Sequence, residues 1–351
     1  MFPRVTFAIP LLASLALVGC AGDGGGIQSQ KMAAIKARGT LNCGVDGKLP
    51  GFSFVGADGS YSGLDVDICK AAAAAVLGDP AKVTYRDLSA TERFAALGSG
   101  EVDLLSRNTT MTLSRDAPGG NALAFAPTTF FDGQAVLVPA SSGIKSLKDV
   151  AGKPICVETG TATELNLADR MRELNAAYTP LKFQSGDQTF AAYLQGRCVA
   201  VTSDRSQLAA KRTGFPNPAE HLLLPDVLSK VPLNPATINA DPAWADAVRW
   251  VVYSLIQAEE MGITTANIDA KLAEAKANKN LAQLRRFLGV EGDLGKQLGL
   301  PADFVVKTVK AVGNYGEVFE RNVGQGSPLK LERGVNHQWL KGGLMYSPPF
   351  L

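Results

Sequence analysis

Residues 106–116 carry the side chains best suited to hold a small anion. They read SRNTTMTLSRD and follow an apolar run, residues 102–105, that is typical of a buried strand. Thr110 and its neighbours offer hydroxyl and N–H donors, and Arg115 offers a two-pronged charged donor that matches a carboxylate. Open α/β folds bind ligands beyond the carboxyl ends of such strands. The stretch therefore predicts half of a carboxylate site, with Asn108 and Thr110 beside the guanidinium.

Residues 160–164 (GTATE) form a second candidate anion site. They follow a predicted strand and open a predicted helix, so the N–H groups of Thr161 and Ala162 lie at the positive end of a helix dipole. Thr161 with Glu164 is also a capping box, which stabilises a helix start with or without a ligand. Asp204 follows another predicted strand, where it can cap a helix or accept an ammonium group. For both stretches the two interpretations stay open.

The other motifs argue for binding rather than catalysis. The sequence contains no GxSxG, Walker, GxGxxG or HExxH motif. Asp46, Glu158 and Glu164 are carboxylates that can approach a cleft, but they show no spacing typical of an acid/base pair. With two histidines and no CxxC pair, we expect neither a metal site nor a cofactor. We therefore do not expect an enzyme.

The composition is that of an exported protein with two globular domains. The chain has 351 residues, and its 35 basic and 33 acidic side chains are interspersed, which gives no footprint for nucleic acid. Arg4 precedes an apolar stretch that ends at Gly19-Cys20, which resembles a bacterial lipoprotein signal. Cys20 would then follow a signal peptide (1–19) and be the lipid-bearing first residue of a flexible tether (20–35). An ordinary secretory signal cut nearby is the alternative.

Export gives the remaining cysteines a meaning. Cys43, Cys69, Cys156 and Cys198 are an even set in an oxidising compartment, which favours two disulfides. Four cysteines permit three pairings, and sequence proximity favours Cys43 with Cys69 and Cys156 with Cys198. Each such loop would stabilise the fold by roughly 3–4 kcal/mol on the chain-entropy model. Four buried free thiols are the alternative.

Strands alternate with helices along most of the chain, which predicts α/β lobes with parallel order. The pattern repeats after residue 150, and extended segments at 131–139 and 222–235 flank the repeat. We therefore expect a first part of lobe 1 (36–135), lobe 2 (136–230), and a return to lobe 1 with a helical C-terminal extension (231–351). In that extension, residues 304–321 are predicted to form one helix.

Several motifs together resemble a known family. They are residues 41–45 (LNCGV), 63–69 (GLDVDIC), 100–110 (GEVDLLSRNTT), 164–169 (ELNLAD), 285–292 (RRFLGVEG), 311–317 (AVGNYGE) and 319–324 (FERNVG). The chain is similar to solute-binding proteins of bacterial ABC importers, of the general L-amino-acid-binding type, which are relatives of the glutamine- and histidine-binding proteins.

The resemblance implies a periplasmic protein of type II-like two-lobe fold with two hinge crossovers, which closes on an L-amino acid and delivers it to an inner-membrane permease and its ATPase. By motif, Arg115, Thr110 and the N–H of Ala162 would hold the α-carboxylate. Asp204, with Thr110 or Asn108, would hold the α-ammonium. The side-chain pocket would be bordered by Leu49, Phe52 and Leu88.

Two departures from the family pattern bear on specificity. Met111 stands where tryptophan is usual, and Ala162 where threonine is usual, so a hydroxyl is lost while the N–H donor stays. Two other functions remain open on the same fold. One is a periplasmic dehydratase acting on prephenate-like acids, and the other is a module that reports a ligand to a receptor.

Overall fold

Alternating apolar strands and helices build two large sheets and one small three-stranded sheet in the structure, which is a computed structural model that describes residues 29–351. The predicted signal peptide and Cys20 lie outside the described residues. Between residues 29 and 351, none of the helices combines the length and the apolar character needed to cross a membrane.

Most strands are short, and the central strands of the two large sheets are the most buried. The strands are β1 (Leu41–Val45), β2 (Lys48–Leu49), β3 (Ser53–Val55), β4 (Tyr61–Ser62), β5 (Val83–Asp87), β6 (Leu104–Leu105), β7 (Leu123–Phe125), β8 (Phe130–Pro139), β9 (Pro154–Glu158), β10 (Thr179–Phe183), β11 (Ala200–Asp204), β12 (His221–Leu223), β13 (Lys230–Leu233) and β14 (Ala236–Ile238).

The helices cover the sheets and make up most of the last third of the chain. They are α1 (Gln30–Arg38), α2 (Leu64–Leu77), α3 (Arg93–Gly98), α4 (Leu113–Asp116), α5 (Ala162–Glu173), α6 (Gly186–Leu194), α7 (Arg205–Arg212), α8 (Pro242–Glu260), α9 (Ile268–Ala277), α10 (Ala282–Phe287), α11 (Leu294–Gln297), α12 (Phe304–Val312) and α13 (Tyr315–Asn322). Short 3-10 turns lie at Ala140–Ser142, Leu147–Val150, Pro218–Glu220, Gly334–Asn336 and Trp339–Lys341.

The first sheet has the order β5-β1-β6-β14-β7, and we call the part of the protein around it lobe 1. Strands β5, β1 and β6 run parallel, whereas β14 is antiparallel to both of its neighbours. Helix α2 contributes a run of buried alanines, which lets it pack closely against β1 on one side and against α12 and α8 on the other. The C-terminal helices are therefore part of the core of lobe 1.

The second sheet has the order β10-β9-β11-β8-β12, and we call the part around it lobe 2. Strands β10, β9 and β11 are parallel, while β8 is antiparallel to β11. The two chain crossings between the lobes are paired, since β13 runs antiparallel to the first residues of β8. Parallel strands place their carboxyl ends at one edge, so each sheet presents the loops after its strands to the space between the lobes. The lobe limits at residues 36, 136 and 231 stay a prediction.

One predicted helix is wrong. Residues 304–321 form two helices, α12 and α13, rather than one. The chain breaks at Gly313, whose φ of 77° lies in the left-handed region that favours glycine. The side chain of Asn314 then accepts from the Glu317 N–H at 2.9 Å, and the Glu317 carboxylate accepts from the Asn314 N–H at 2.9 Å. This reciprocal cap starts a new helix.

The cysteines pair within each lobe. Cys43 of β1 is joined to Cys69 of α2, and Cys156 of β9 to Cys198, with Cα–Cα separations of 6.2 and 5.6 Å. Both separations lie in the ordinary range for a disulfide. The first bond joins strand β1 to helix α2. The second joins strand β9 to the segment that leads into β11.

Candidate functional site

One buried carboxylate of helix α2 holds the loop after β6 in place. Asp65 of α2 accepts from the Ser106 hydroxyl at 3.2 Å and from the Asn108 N–H at 2.8 Å. Asn108 adopts a φ of 33°, a left-handed conformation that asparagine tolerates better than most residues. Burial raises the pKa of Asp65 to about 7. The resulting turn presents Asn108 and Thr110 to the space between the lobes.

Arg115 lies directly behind Thr110. Its Nη1 donates to the Thr110 carbonyl oxygen at 2.7 Å, and the guanidinium is stacked 5.1 Å from the ring centre of Phe94. Burial lowers the pKa of Arg115 to about 10, while Asp204 favours its charged form. The side chain therefore stays positive at neutral pH, and it is positioned to attract a carboxylate next to Thr110.

The start of α5 supplies the corresponding part of lobe 2. The Thr161 hydroxyl accepts from the Glu164 N–H at 3.1 Å and donates to the Glu158 carbonyl at 2.7 Å. Thr161 is thus the helix cap, and its hydroxyl is already occupied. Ala162 is the first helical residue, so its N–H has no acceptor inside the helix. Capping and anion binding are compatible here, since capping leaves this donor to a ligand.

Asp204 ends β11 and stands just before α7, yet it does not cap that helix. Its side chain makes no capping hydrogen bond and is 6% exposed. Burial and the neighbouring Asp132 raise the pKa of Asp204, and Arg93 and Arg115 oppose this effect. Asp204 is therefore a buried carboxyl group with no close ion-pair partner among residues 29–351, which suits it to accept an ammonium group.

These residues meet around one enclosed cavity between the lobes, which we call the clamp cavity. Its volume is about 20 Å³, room for about one water molecule. Lobe 1 contributes Arg93, Arg107, Asn108 and Thr110, and lobe 2 contributes Glu158, Thr161, Ala162, Thr163, Ser203, Asp204 and Gln207. The structure thus brings together five of the predicted residues, while Arg115 acts from behind Thr110 rather than from the cavity wall.

Three other predicted positions differ from this arrangement. Leu49 and Phe52 are 0% and 1% exposed and pack in the core of lobe 1, so neither borders the clamp cavity. Their apolar side chains contribute to the packing of that core. Met111 is 41% exposed and lines a separate cavity beside Phe131 and Tyr346. It is therefore not placed to alter specificity by direct contact.

Leu88 does border a cavity, which adjoins the clamp cavity and has a volume of about 200 Å³. We call it the outer chamber. The two cavities share Arg107, Glu158 and Gln207. Most other residues of its wall are charged or polar, and they come from both lobes: Asp46, Lys48, Asp87, Ser89, Glu92, Ser185, Gly186, Asp187 and Lys211. A ligand with a polar side chain fits this wall better than an apolar one.

Two buried arginines were missed by sequence reasoning. Arg107 is 5% exposed, and its Nη2 lies 2.7 Å from Asp46 and 3.9 Å from Glu158 of lobe 2. Arg93, the first residue of α3, is 3% exposed. Arg107 carries the signal that identified Thr110, since both follow β6 within a few residues. Arg93 carries no such signal, because its burial results from the packing of α3 under the cleft.

The lobes also touch at the mouth of the outer chamber. Lys211 of α7 donates to the Lys48 carbonyl of lobe 1 at 3.0 Å and to Asp187 of lobe 2 at 2.8 Å. The Lys48 ammonium lies 3.4 Å from the same Asp187 carboxylate. We call these three residues the mouth latch. The structure is therefore that of a closed cleft.

A family model described as bacterial extracellular solute-binding proteins, family 3, matches residues 41–287. The chain belongs to this family. The match covers the strands of both lobes and ends in the first helices of the C-terminal extension.

Relatives and solved structures agree with this assignment. The general L-amino acid-binding periplasmic protein AapJ of Rhizobium johnstonii is 49% identical over 90% of this chain and 91% of its own length. The glutamate/glutamine/aspartate/asparagine-binding protein BztA of Rhodobacter capsulatus is 49% identical over 90% and 92%. An ABC transporter periplasmic binding protein from Brucella ovis, solved with glutathione bound, is 46% identical, covers 92% of this chain and 100% of that one, and superposes with a TM-score of 0.87. The predicted two-lobe fold with extra C-terminal helices and the resemblance to amino-acid-binding proteins of ABC transporters are confirmed.

Proposed function

We propose that this solute-binding protein captures L-amino acids between its lobes and delivers them to an ABC-type permease. The observation that carries the proposal is the clamp cavity, where lobe 2 places the buried carboxyl of Asp204 opposite Thr110 and Arg115 of lobe 1. An α-ammonium group at Asp204 and an α-carboxylate beside Thr110, Arg115 and the N–H of Ala162 would complement both charges. The amino-acid ligands named for AapJ and BztA support this assignment.

Closure is part of the proposed mechanism. The clamp cavity of about 20 Å³ is far smaller than an amino acid, so the lobes must separate before a ligand enters. Both lobes supply groups for the ligand, which makes the closed form the one with more ligand contacts. A ligand shifts an equilibrium only through such differential contacts. The paired strands β8 and β13 are the segments that must bend.

The remaining steps follow from this role. We assign the chain no catalytic step and no cofactor, and its partners would be an inner-membrane permease and the ATPase that drives it. A lipid on Cys20 would tether the protein to a membrane on the periplasmic side. A receptor that reads the closed form is an alternative partner, and a dehydratase activity is the alternative chemistry.

A second candidate ligand is a γ-glutamyl peptide. Such a peptide presents the same zwitterionic head as glutamate and extends it by further residues. The outer chamber of about 200 Å³ adjoins the clamp cavity and offers polar walls for that extension. The glutathione in the Brucella ovis relative supports this candidate.

A thermal-shift screen tests the proposal. Purified protein is heated with each of the common L-amino acids, with glutathione, and with prephenate. A ligand that binds only the folded state raises the melting temperature in proportion to its saturation. We expect several L-amino acids to raise it and prephenate to leave it unchanged. No shift with any amino acid would rule out the proposed function.

A further inference from the structure

Two buried polar atoms in the wall of the clamp cavity lack a hydrogen-bond partner. They are Nε of Arg93 and Oε1 of Glu158, and no other atom of residues 29–351 satisfies either one. Both side chains line the cavity and are 3% and 8% exposed. Orphaned polar groups at this depth are uncommon in native proteins and need a physical explanation.

Arg93 of lobe 1 makes only weak polar contacts within the described residues. Its Nη1 reaches the Thr109 hydroxyl at only 3.5 Å, and the guanidinium is stacked 4.8 Å from the ring centre of Phe94. Burial lowers the pKa of Arg93. The like charges of Arg107 and Arg115 add to that effect, and the carboxyl groups of Glu158 and Asp204 oppose it. The side chain thus lines the clamp cavity with one unsatisfied donor, its Nε.

Glu158 of lobe 2 provides the acceptor, its Oε1. The guanidinium of Arg107 lies 3.9 Å away, but that group already bonds Asp46 and donates from its Nε to the Leu88 carbonyl at 2.7 Å. Glu158 faces Gly186 on its other side, where an added Cβ would lie 3.4 Å from its Oε2. Its Oε1 is therefore an acceptor at the junction of the clamp cavity and the outer chamber.

One donor and one acceptor on opposite walls require a ligand group that both accepts and donates hydrogen bonds, and an amide does both. Its carbonyl oxygen accepts from Arg93, and its N–H donates to Glu158. A carboxylate supplies acceptors only and would meet Glu158 with like charge. An ammonium group supplies donors only, and the like charge of Arg93 would repel it.

We propose that Arg93 and Glu158 are specificity residues that bind an amide in the side chain of the ligand. The inference rests on the proposed function, because the clamp must first hold the α-amino and α-carboxyl groups. Two sources share this chemistry: the primary amide of glutamine or asparagine, and the γ-peptide bond of a γ-glutamyl peptide. Since the amide bridges the two lobes, it also adds contacts that exist only in the closed form.

The expected selectivity is large. A site built to hydrogen-bond a polar group rejects an analogue that leaves its buried groups unpaired by far more than it rejects a missing methylene. We expect glutamine to bind at least about tenfold more tightly than glutamate, and asparagine more tightly than aspartate, in the same buffer.

Calorimetry on the purified protein tests the inference. Alanine reports on the clamp alone, glutamine and glutamate report on the amide, and glutathione separates the γ-peptide from the primary amide. Tight binding of either glutamine or glutathione relative to glutamate supports the inference, and it identifies which source the chamber accepts.

A variant of Glu158 gives a second test, which does not require the natural ligand of the wild-type protein to be known. In Glu158→Gln the carboxylate becomes an isosteric amide, so the repulsion of a glutamate side chain disappears. The ratio of glutamine to glutamate affinity should fall toward one. The control Glu173→Gln removes a carboxylate that pairs with Arg170 on the surface of α5, and it should keep the wild-type ratio.

The outcomes separate the two proposals. If wild-type protein binds alanine but binds glutamate as tightly as glutamine and glutathione, the amide inference is wrong and the proposed function stands. An unchanged ratio in Glu158→Gln would also overturn it. If no amino acid binds, the proposed function fails, and the inference fails with it.

Discussion

The guanidinium of Arg115 and the carboxyl of Asp204 are ionisable groups of opposite sign, and each is buried where water cannot screen it. Burial lowers the pKa of Arg115 and raises that of Asp204, so the protein spends free energy to keep both groups near the clamp cavity. A zwitterionic ligand offsets that cost by giving each group an opposite charge. Ligand binding therefore gives a physical reason for burying these two ionisable groups.

Replacing Arg115 with alanine tests the carboxylate half of this arrangement. All α-amino acids share the carboxylate, so we expect every ligand to weaken by a similar factor, on the order of 100-fold for the loss of a buried charge-assisted contact. Calorimetry with alanine and glutamine measures the factor for each. A loss confined to one of the two ligands would contradict the assigned role.

Asp204 also makes unfolding free energy depend on pH. Its pKa is higher in the folded protein than in the unfolded chain, so the folded state binds the extra proton. Its contribution to stability is therefore fully present below the ordinary aspartate range and is lost as the pH rises through the raised pKa. Without ligand, Asp204→Asn should be more stable than wild type at pH 9, and the difference should shrink toward pH 5. Urea unfolding at both pH values checks this, and a difference that grows toward pH 5 would refute it.

At the scale of elements, the mouth latch joins the start of lobe 1 to α6 and α7 of lobe 2. Lys211→Met removes the hydrogen bond to the Lys48 carbonyl and the ion pair with Asp187. Ion pairs that are exposed or half-exposed contribute little interaction free energy. We therefore expect ligand dissociation to become only about two- to fivefold faster. Stopped-flow displacement measures that rate.

The matched control for the latch is Lys182→Met. Lys182 pairs with Glu164 at 2.8 Å, and both residues belong to lobe 2. The variant makes the same change in charge without touching the contact between lobes, so the dissociation rate should stay close to wild type. Equal acceleration in both variants would show that the latch contact has no special role.

The sequence predicted those features that depend on local pattern. Thr110, Thr161 and Asp204 all lie in the cleft because each stands at or shortly after the carboxyl end of a strand. The position of Arg93 and the burial of Leu49 and Phe52 depend on how α3 and the C-terminal helices pack, which no local pattern contains. The break at Gly313 has a local signal, since Asn314 and Glu317 after the glycine form a reciprocal cap, and the prediction of a single helix did not use it.

At the scale of the whole molecule, the C-terminal tail is attached to the hinge. The Asn336 amide accepts from the Phe131 N–H at 2.7 Å and donates to the Phe131 carbonyl at 3.1 Å. The tail is fixed to α8 nearby, since Arg333 lies 3.1 Å from Glu259. The first crossing between lobes is thus tied to the helical extension of lobe 1.

Asn336→Ala tests this attachment. It removes two hydrogen bonds and leaves two backbone groups of β8 to find other partners, so we expect a loss of about 1–3 kcal/mol in unfolding free energy. Urea unfolding measures it, with the exposed Asn217→Ala as the control that should stay within about 0.5 kcal/mol of wild type. A wild-type value for Asn336→Ala would show that the tail does not support the hinge.

The central claim is that the cleft recognises the α-ammonium and α-carboxylate of an amino acid together. The most direct measurement is calorimetric titration of the purified protein with L-glutamine and with N-acetyl-L-glutamine, which keeps the side chain and the carboxylate but has no ammonium group. We predict that L-glutamine binds and that acetylation weakens binding at least about 100-fold, because Asp204 is left buried and unpaired. Equal affinity for the two compounds would contradict the account.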